Sequence, residues 1–589
     1  PMIDGPTTVD RIRISPERCE ACGACAKACT QGAIEQTEKK AIPTYDGLRC
    51  AGCWKCKEAC KFGALDIINV CPVVVPSEFD MGLGYRKAIY IPNSQAVPLK
   101  YSRDPAHCLL LNHTMDCQGC RGVCGPGAIL DEDAELEHEI SVGAVVVATG
   151  YQQYDLSRTE YHAENPNVIN GLQLERLLSP AGPTGGKLLR PSDGRMPKSV
   201  TFIQCAGSRD IDRKEYCSKI CCMYATKNAR LIKSDHPEID VKVCYTDLRA
   251  AGRGYEEYFD KAREMGIEYI RGNVGEVVPH GDRLIVRCED TFLGRPVEIE
   301  SDLVVLSTAM EPSNGTLEIE KLIPLVPGKD GFIAPMHVKI APVDTATAGI
   351  FISGTAEAPK PIQECITDAG AAASRVASFL KDDVMAIDLV TAYIDQDRCM
   401  KCGKCAEICV YDAVKETDGK FEVIDISCRA CGKCAADCPT NAIDLRLNND
   451  TQLEDSVRGV MQVDKDSILA YSCEQCGYNA ADLAGTAKSY YPTEVQIIKV
   501  PCSGRVSLAQ MLVPFEMGAK GVMIAACLED QCHFIDGNKD AKRRVELAKR
   551  ALDLMGIGGH RLQFFNISSA EGEKFVEAVR KIHADTEVD

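Results

Sequence analysis

No apolar run in this chain approaches the roughly 18 residues that a membrane-spanning helix needs. The longest candidates, such as Val145–Ala148 and Asp302–Met310, are strand-sized. The N-terminus, Pro1-Met2-Ile3-Asp4-Gly5, carries no charged-then-apolar leader. It also opens on Pro1 rather than methionine, which reads as a processed chain or one that starts partway through a longer protein. Basic charge is short: 67 Lys+Arg against 85 Asp+Glu leave a formal net charge of −18. That balance excludes nucleic acid and anionic membrane surfaces as expected partners. No G-x-G-x-x-G occurs anywhere, so no NAD(P) site is expected. No nucleophile–base pair or paired-carboxylate site stands out, which disfavours acid–base hydrolysis. A hydrophobic fraction of 45% rules out a disordered chain, and 589 residues suggest about four domains.

What the chain has is cysteine, 33 of them. Without a secretion signal the expected compartment is cytoplasmic, where clustered thiols are metal ligands before they are disulfides. A spacing C-x2-C-x2-C-x3-C repeats four times. It runs through Cys19, Cys22, Cys25 and Cys29, then Cys50, Cys53, Cys56 and Cys60. Later it returns as Cys399, Cys402, Cys405 and Cys409, then Cys428, Cys431, Cys434 and Cys438, the last followed by Pro439. Three thiolates at this spacing curl around one face of a 4Fe–4S cube, and the fourth ligates the neighbouring cluster. The expected ligand sets are therefore Cys19, Cys22, Cys25 with Cys60, and Cys50, Cys53, Cys56 with Cys29. In the second pair they are Cys399, Cys402, Cys405 with Cys438, and Cys428, Cys431, Cys434 with Cys409. Zinc knuckles are the competing reading, but tetrahedral zinc uses paired C-x2-C knuckles rather than four cysteines in one short run.

Further cysteines form less regular groups. An imperfect fifth copy, Cys108, Cys117, Cys120 and Cys124, has Cys71-Pro72 upstream. Cys108, Cys117 and Cys120 are expected ligands, with Cys71 or Cys124 as the fourth. All the copies place an alanine four residues after the last cysteine, followed by an aliphatic residue, as in Ala33-Ile34 and Ala442-Ile443. Cys205, Cys217, Cys221 and Cys222 follow a strand at 199–204 and read as a sixth cubane or as a cysteine-rich helix in a core. Cys244, Cys288 and Cys365 sit alone and read as buried small hydrophobes.

Between about 131 and 385 strands alternate with helices, the pattern of a doubly wound α/β domain. Strands are expected at 141–148, 199–204, 241–245, 302–307 and 349–353, and an Ala-rich helix at 362–380. Two turns, Val145–Gly150 and Gly349–Pro359, resemble those of two-dinucleotide-binding flavoproteins. They make Thr149, Gly150, Gly354, Thr355, Ala356, Pro361 and Ile362 the candidate flavin contacts, with a helix N-terminus offered to the cofactor. The first βαβ unit that would grip the ADP moiety is missing. Another chain, or an absent front half, is expected to complete an FAD site.

After a polar stretch at 451–466 that reads as a linker, three strands at 468–471, 495–500 and 521–526 deliver cysteines to one sheet edge. Cys473, Cys476, Cys502, Cys527 and Cys532 are five thiols for a four-ligand site, suited to 2Fe–2S or alternatively to zinc. His533 reads as a solvent-facing neighbour of Cys532, the alternative being a ligand in a mixed Cys/His cluster.

These motifs carry a resemblance over nearly the whole chain. CPVVVPSEFDMGLGYRKAIYIPNSQAVP (Cys71–Pro98), EYCSKICCMYATKNA (Glu215–Ala229) and DLRAAGRGYEEYF (Asp247–Phe259) resemble the A-type subunit of heterodisulfide reductase. CEQCGYNAAD, VPCSGRV and CLEDQCHFIDGN are similar to the small iron–sulfur delta subunit of methyl-viologen-reducing hydrogenase. The resemblance implies a fusion of the two, with an electron-pair-splitting FAD serving a low-potential ferredoxin and a higher-potential disulfide. It implies B- and C-like partner subunits, a hydrogenase or formate dehydrogenase as donor, a dimer of complexes, and a cluster on the cysteines at 205, 217, 221 and 222. The chain departs from the family in lacking the front flavin half and in carrying an additional ferredoxin repeat at Cys19–Cys60.

The expected fold is α/β and α+β multidomain. A two-cluster ferredoxin domain (1–70) and a further ferredoxin-like segment (71–130) precede a partial thioredoxin-reductase-like flavoprotein domain (131–390). A second two-cluster ferredoxin (391–450), the linker and a 2Fe–2S module (467–589) follow. Six cubanes and one 2Fe–2S centre would use roughly 28 of the 33 cysteines. The expected role is an electron-transfer subunit of a heterodisulfide-reductase-like oxidoreductase; the alternative is a flavin-free polyferredoxin wire.

Overall fold

The computed structural model describes residues 7–8 and 10–587, apart from 48, 131–136, 158, 383 and 385–389. The chain divides into two compact units, one of residues 1–140 and 153–310, the other of 141–152 and 311–589. The segment expected as one flavoprotein domain, 131–390, is therefore split between them.

The first unit begins with a small pseudo-symmetric fold. Ile12–Ile14 pairs antiparallel with Leu65–Ile67, and Ile34–Glu35 with Thr44–Tyr45. Two five-residue helices, Ala24–Ala28 and Lys55–Ala59, carry the third cysteine of each repeat. Its apolar core is slight, built on Ile12, Ile34, Trp54 and Leu65 together with the thiols of Cys25 and Cys56. Residues 71–130 do not repeat this ferredoxin pattern. They form antiparallel pairings, Val73–Pro76 with Tyr85–Lys87 and Ile89–Tyr90 with Ser102–Arg103, and one short helix, Gly119–Val123.

The rest of the unit holds a five-stranded parallel sheet in the order Val168–Asn170, Leu303–Thr308, Ser199–Ala206, Asp240–Tyr245, Glu268–Arg271, and a three-stranded antiparallel sheet of Val274–His280, Arg283–Asp290 and Arg295–Ser301. Chain order reverses direction between Ser199–Ala206 and Leu303–Thr308, which makes their C-terminal ends the switch point of the sheet. The helix Cys221–Asp235 packs its Ala225, Ala229 and Ile232 against Val200, Phe202 and Val305.

In the second unit Val145–Val147 pairs parallel with Ile350–Ile352, and the helix Ile362–Phe379 follows. A second ferredoxin-type fold pairs Ala392–Ile394 with Ile443–Leu445 around a core of Val414, Phe421 and Leu445. The stretch read as a linker is a helix, Asp450–Val463, with a capping box at Asn449 and Gln452. Its Leu453, Val457 and Met461 are buried in the C-terminal core. Sparse apolar residues hid a helix that buries one face at every fourth residue. The C-terminal sheet is parallel, in the order Val495–Val500, Ile468–Cys473, Gly521–Ala526, Leu562–Asn566.

Candidate iron–sulfur centres

The repeated loops wrap because of their backbone. The residue after the second cysteine of each repeat is left-handed: Gly23 at φ 72°, Trp54 at 59°, Gly403 at 75° and Gly432 at 76°. Glycine suits three of those positions, and Trp54 holds the fourth by burying its ring and donating from Nε1 to Gly119 O at 3.2 Å. The alanine four residues after each last cysteine gives its amide to that sulfur. Ala33, Ala64, Ala128, Ala413 and Ala442 donate to Cys29, Cys60, Cys124, Cys409 and Cys438 at 3.2–3.4 Å. Amide donors of this kind stabilise a thiolate. At Cys438 burial raises the thiol, but amides from Thr440, Ile443 and Ala442 outweigh it, and the net shift is downward.

Sets of thiols meet across the repeats. Cys25 lies within electrostatic reach of Cys19 and Cys60, while Cys56, pushed up to about 11 by burial and by Cys50, neighbours Cys29 and Cys53. One cavity is lined by Cys29, Cys50, Cys53 and Cys56, another by Cys399, Cys402, Cys405 and Cys438. Burial raises Cys434 beside Cys431, Cys409 and Cys428. A further cavity is lined by Cys71, Cys108, Cys117 and Cys120 but not by Cys124, which opens instead on the adjoining groove with Cys120. The fully buried Arg11 donates to Cys117 Sγ at 3.0 Å and to Val70 O at 3.1 Å, tying this set to the first ferredoxin fold.

Cys205, Cys217, Cys221 and Cys222 also converge. Burial raises Cys205, with Cys222 and Cys217 beside it, and burial also raises Cys221, beside Cys205, Cys222 and Cys217. Arg209 lies beside Cys205 and donates to Asp247 Oδ2 at 2.8 Å.

In the C-terminal module all five cysteines come together at the sheet edge. Cys473 and Cys527 sulfurs stand 3.7 Å apart. Cys473 also meets Cys476, Cys527 meets Cys476 and Cys532, and Cys502 meets Cys532. A Cβ on Gly537 would run into Cys502 Sγ, so glycine is what admits that thiol. His533 is not solvent-facing: it is half-buried, with its ring 6.0 Å from His337 and 4.9 Å from Phe534. Its proton is weakened by burial and by His337 and Arg429. The Cys409 set packs against this module: Cys431 is raised by burial and by neighbouring Cys502, and Phe534 packs beside Cys409, Cys428 and Cys431.

The candidate flavin residues lie at one edge. The parallel register Val147↔Ile352 puts Thr149 and Gly150 beside the turn Gly354–Ala356, with Ser353 N donating to Val147 O at 3.0 Å. Pro361 caps the helix that begins at Ile362, whose side chain is 78% exposed. Of the lone cysteines, Cys244 and Cys288 are buried with their thiols in hydrogen-bond contact, whereas Cys365 is only partly buried, near Gly354. Sequence spacing could not pair Cys244 with Cys288, which lie on different strands.

Among the described residues no three His, Cys, Asp or Glu side chains close around a single ion, and no helix is long and apolar enough to cross a membrane. Thiols in ferredoxin spacing that line shared cavities define an iron–sulfur protein. Residues 12–35 match the family "4Fe-4S binding domain", and residues 468–587 match "Methyl-viologen-reducing hydrogenase, delta subunit". The chain is 40% identical over 524 residues to the A-type subunit of the Methanosarcina mazei ferredoxin:CoB-CoM heterodisulfide reductase, covering 88% of this chain and 65% of that one. It is 45% identical over 403 residues to the A-type iron-sulfur subunit of the Methanocaldococcus jannaschii CoB--CoM heterodisulfide reductase, covering 67% and 60%. To the A-type subunit of the Methanothermobacter marburgensis H(2):CoB-CoM heterodisulfide,ferredoxin reductase it is 42% identical over 361 residues, covering 60% and 54%. The chain thus spans between half and two thirds of the length of these relatives. Among solved structures, Thermoplasma acidophilum thioredoxin reductase aligns at 17% identity over 41% of this chain and 66% of that one, with a TM-score of 0.28. Over 88% of its length the chain is similar to the A-type subunit of heterodisulfide reductase, and its C-terminal domain is similar to the hydrogenase delta subunit.

Proposed function

We propose that the chain is the electron-distributing subunit of a cytoplasmic heterodisulfide-reductase-like complex. The observation that carries this is the contiguity of thiol sites in the second unit: the five C-terminal thiols adjoin Cys431, and Cys431 belongs to the set with Cys409, Cys428 and Cys434. Electrons enter at the C-terminal module, pass to that set, then to the Cys399, Cys402, Cys405 and Cys438 set. The donor is a hydrogenase or formate dehydrogenase, and the acceptors are a ferredoxin and a disulfide carried by B- and C-like subunits.

In this reading six sets hold 4Fe–4S clusters and the C-terminal thiols hold 2Fe–2S. Cys71 is the fourth ligand of the Cys108, Cys117 and Cys120 site, because those four line one cavity. FAD lies against Thr149, Gly150, Gly354, Thr355, Ala356, Pro361 and Ile362. A two-stranded parallel pair with Val145 and Val146 exposed cannot enclose it, since parallel sheets need both faces covered. Polypeptide outside these residues therefore completes the flavin fold. Bound flavin would split an electron pair between two one-electron paths. This chain's part is to fix the spacing of the centres, bury them and supply amide donors to their sulfurs. Flavin extraction from the anaerobically purified complex tests it: one FAD per chain is expected, and a complex with all partners and clusters but no flavin rejects bifurcation in favour of a plain wire.

A further inference from the structure

The switch point of the first unit's parallel sheet holds a concentration of orphaned polar side chains. Gln204, the residue before Cys205, is 7% exposed, and neither its amide oxygen nor its amide nitrogen has a hydrogen-bond partner. On the neighbouring strand Ser307 and Thr308, buried at the same end by the register Ile203↔Leu306 and Ala206↔Thr308, also lack partners for their hydroxyls. Ser208 Oγ and Arg209 Nη1 are buried and unpartnered as well. Orphaned groups of this sort are rare in folded proteins, because a buried donor or acceptor without a partner is costly.

Gln204 directly precedes Cys205, and alternation along the strands sets Gln204 and Ser307 on the sheet face of Phe202 and Val305, against which the helix opened by Cys221 and Cys222 packs. The loop that carries Cys205 kinks through left-handed residues at Cys205 (φ 59°), Gly207 (82°) and Arg209 (58°). Cys221 and Cys222 open a 15-residue helix, so its positive end faces the same place. Arg209 reaches Cys205, and the amide of Arg249 reaches Cys222. A cluster held by four thiolates is an anion in both oxidation states. Burying one without compensation is costly, and the helix N-terminus, Arg209 and the unpartnered donors of Gln204 and Ser307 supply positive potential or hydrogen bonds.

We propose that Gln204 and Ser307 are positioning residues that donate hydrogen bonds to the cluster held by Cys205, Cys217, Cys221 and Cys222 and raise its reduction potential. This rests on the assignment of a cluster to those cysteines. Donors to cluster sulfur stabilise the more negative, reduced state, so removing them favours the oxidised one. The centre would then accept electrons more readily than a bare cubane in the same burial.

The test is an anaerobic EPR-monitored redox titration of the whole cluster-loaded complex. The signal of this site is identified by its loss in Cys217→Ser. Gln204→Met keeps the length of the side chain and removes its donor; Ser307→Ala removes a hydroxyl that Ser307→Thr retains. The expected result is a midpoint shifted to lower potential in Gln204→Met and Ser307→Ala, unshifted in Ser307→Thr, with the other centres unmoved. Ser307→Ala decides the matter if Gln204→Met does not fold. An intact signal whose midpoint is unchanged in the donor-less variants overturns the inference and leaves buried water as the partner of these groups. A Cys217→Ser spectrum identical to wild type overturns the cluster assignment itself, and the inference with it.

Discussion

Arg505 Nη2 donates to Asp444 Oδ1 at 2.8 Å, joining the loop that carries Cys502 to the closing strand of the second ferredoxin fold. The same nitrogen reaches Asp450 at 2.9 Å, and Arg505 is fully buried. Two more buried cations repeat the arrangement. Lys433, between Cys431 and Cys434, pairs with Asp536 and with Asp540 at 2.8 Å. Arg544 donates to Asp437, the residue before Cys438, at 3.0 Å and to the carbonyls of Gly504 and Val506. This seam fixes the ferredoxin thiols against the C-terminal thiols, which is what short-range electron transfer requires of a protein.

Breaking the seam should therefore cost both stability and conduction. Arg505→Met removes the charged partner of Asp444 and Asp450, which keep amide donors from Asp450, Leu445 and Gln510, so the cost falls below the about 3–5 kcal/mol of breaking a fully buried pair. The denaturation midpoint of the C-terminal module should fall accordingly. In the loaded complex, reduction of the ferredoxin clusters by the C-terminal centre should slow. A variant with wild-type stability and transfer rate would show the seam to be incidental.

Cys71 and Cys124 should behave differently. Cys71→Ser should remove about four irons per chain, one cubane, whereas Cys124→Ser should leave iron content unchanged. Iron analysis of the two anaerobic preparations decides, and the opposite pattern would make Cys124 the ligand.

Iron removal should act unevenly along the chain. The first ferredoxin core rests on a handful of side chains plus its own thiols, so chelation should unfold it. The C-terminal module has two apolar cores of its own, around Tyr471 and Val522 and around Phe575 and Met523. Limited proteolysis after chelation should digest 10–70 and 391–446 while sparing 468–587; equal survival of all three would contradict this.

In the surviving iron-free module, thiol reactivity should be displaced to alkaline pH. Hydrogen bonding to Cys476, with burial, pushes Cys473 up to about 12, and Cys476 stands at about 11. The thiolate is the nucleophile, so alkylation at pH 8 should be slow and should keep climbing above pH 10. A rate that levels off near pH 9 would indicate ordinary, exposed thiols.

The ferredoxin loops were legible because their chemistry is local: a fixed cysteine spacing and the alanine that follows each do a visible job. The strands at 495–500 and 521–526 were equally plain, being short apolar runs that end in cysteine. The helix Asp450–Val463 was not, since its polar residues outnumber the three that pack. Nothing in the sequence sets Cys71 on one cavity with Cys108, or Cys244 against Cys288, because such meetings depend on pairing across distant strands. Nor does it reveal that Gln204 and Ser307 lack partners, which is a property of packing.

Anaerobic metal analysis joined to EPR of the intact chain tests the central claim most directly. The account predicts about 26 irons per chain, with signals from cubanes and one 2Fe–2S centre. About four irons, or zinc in their place, would contradict it.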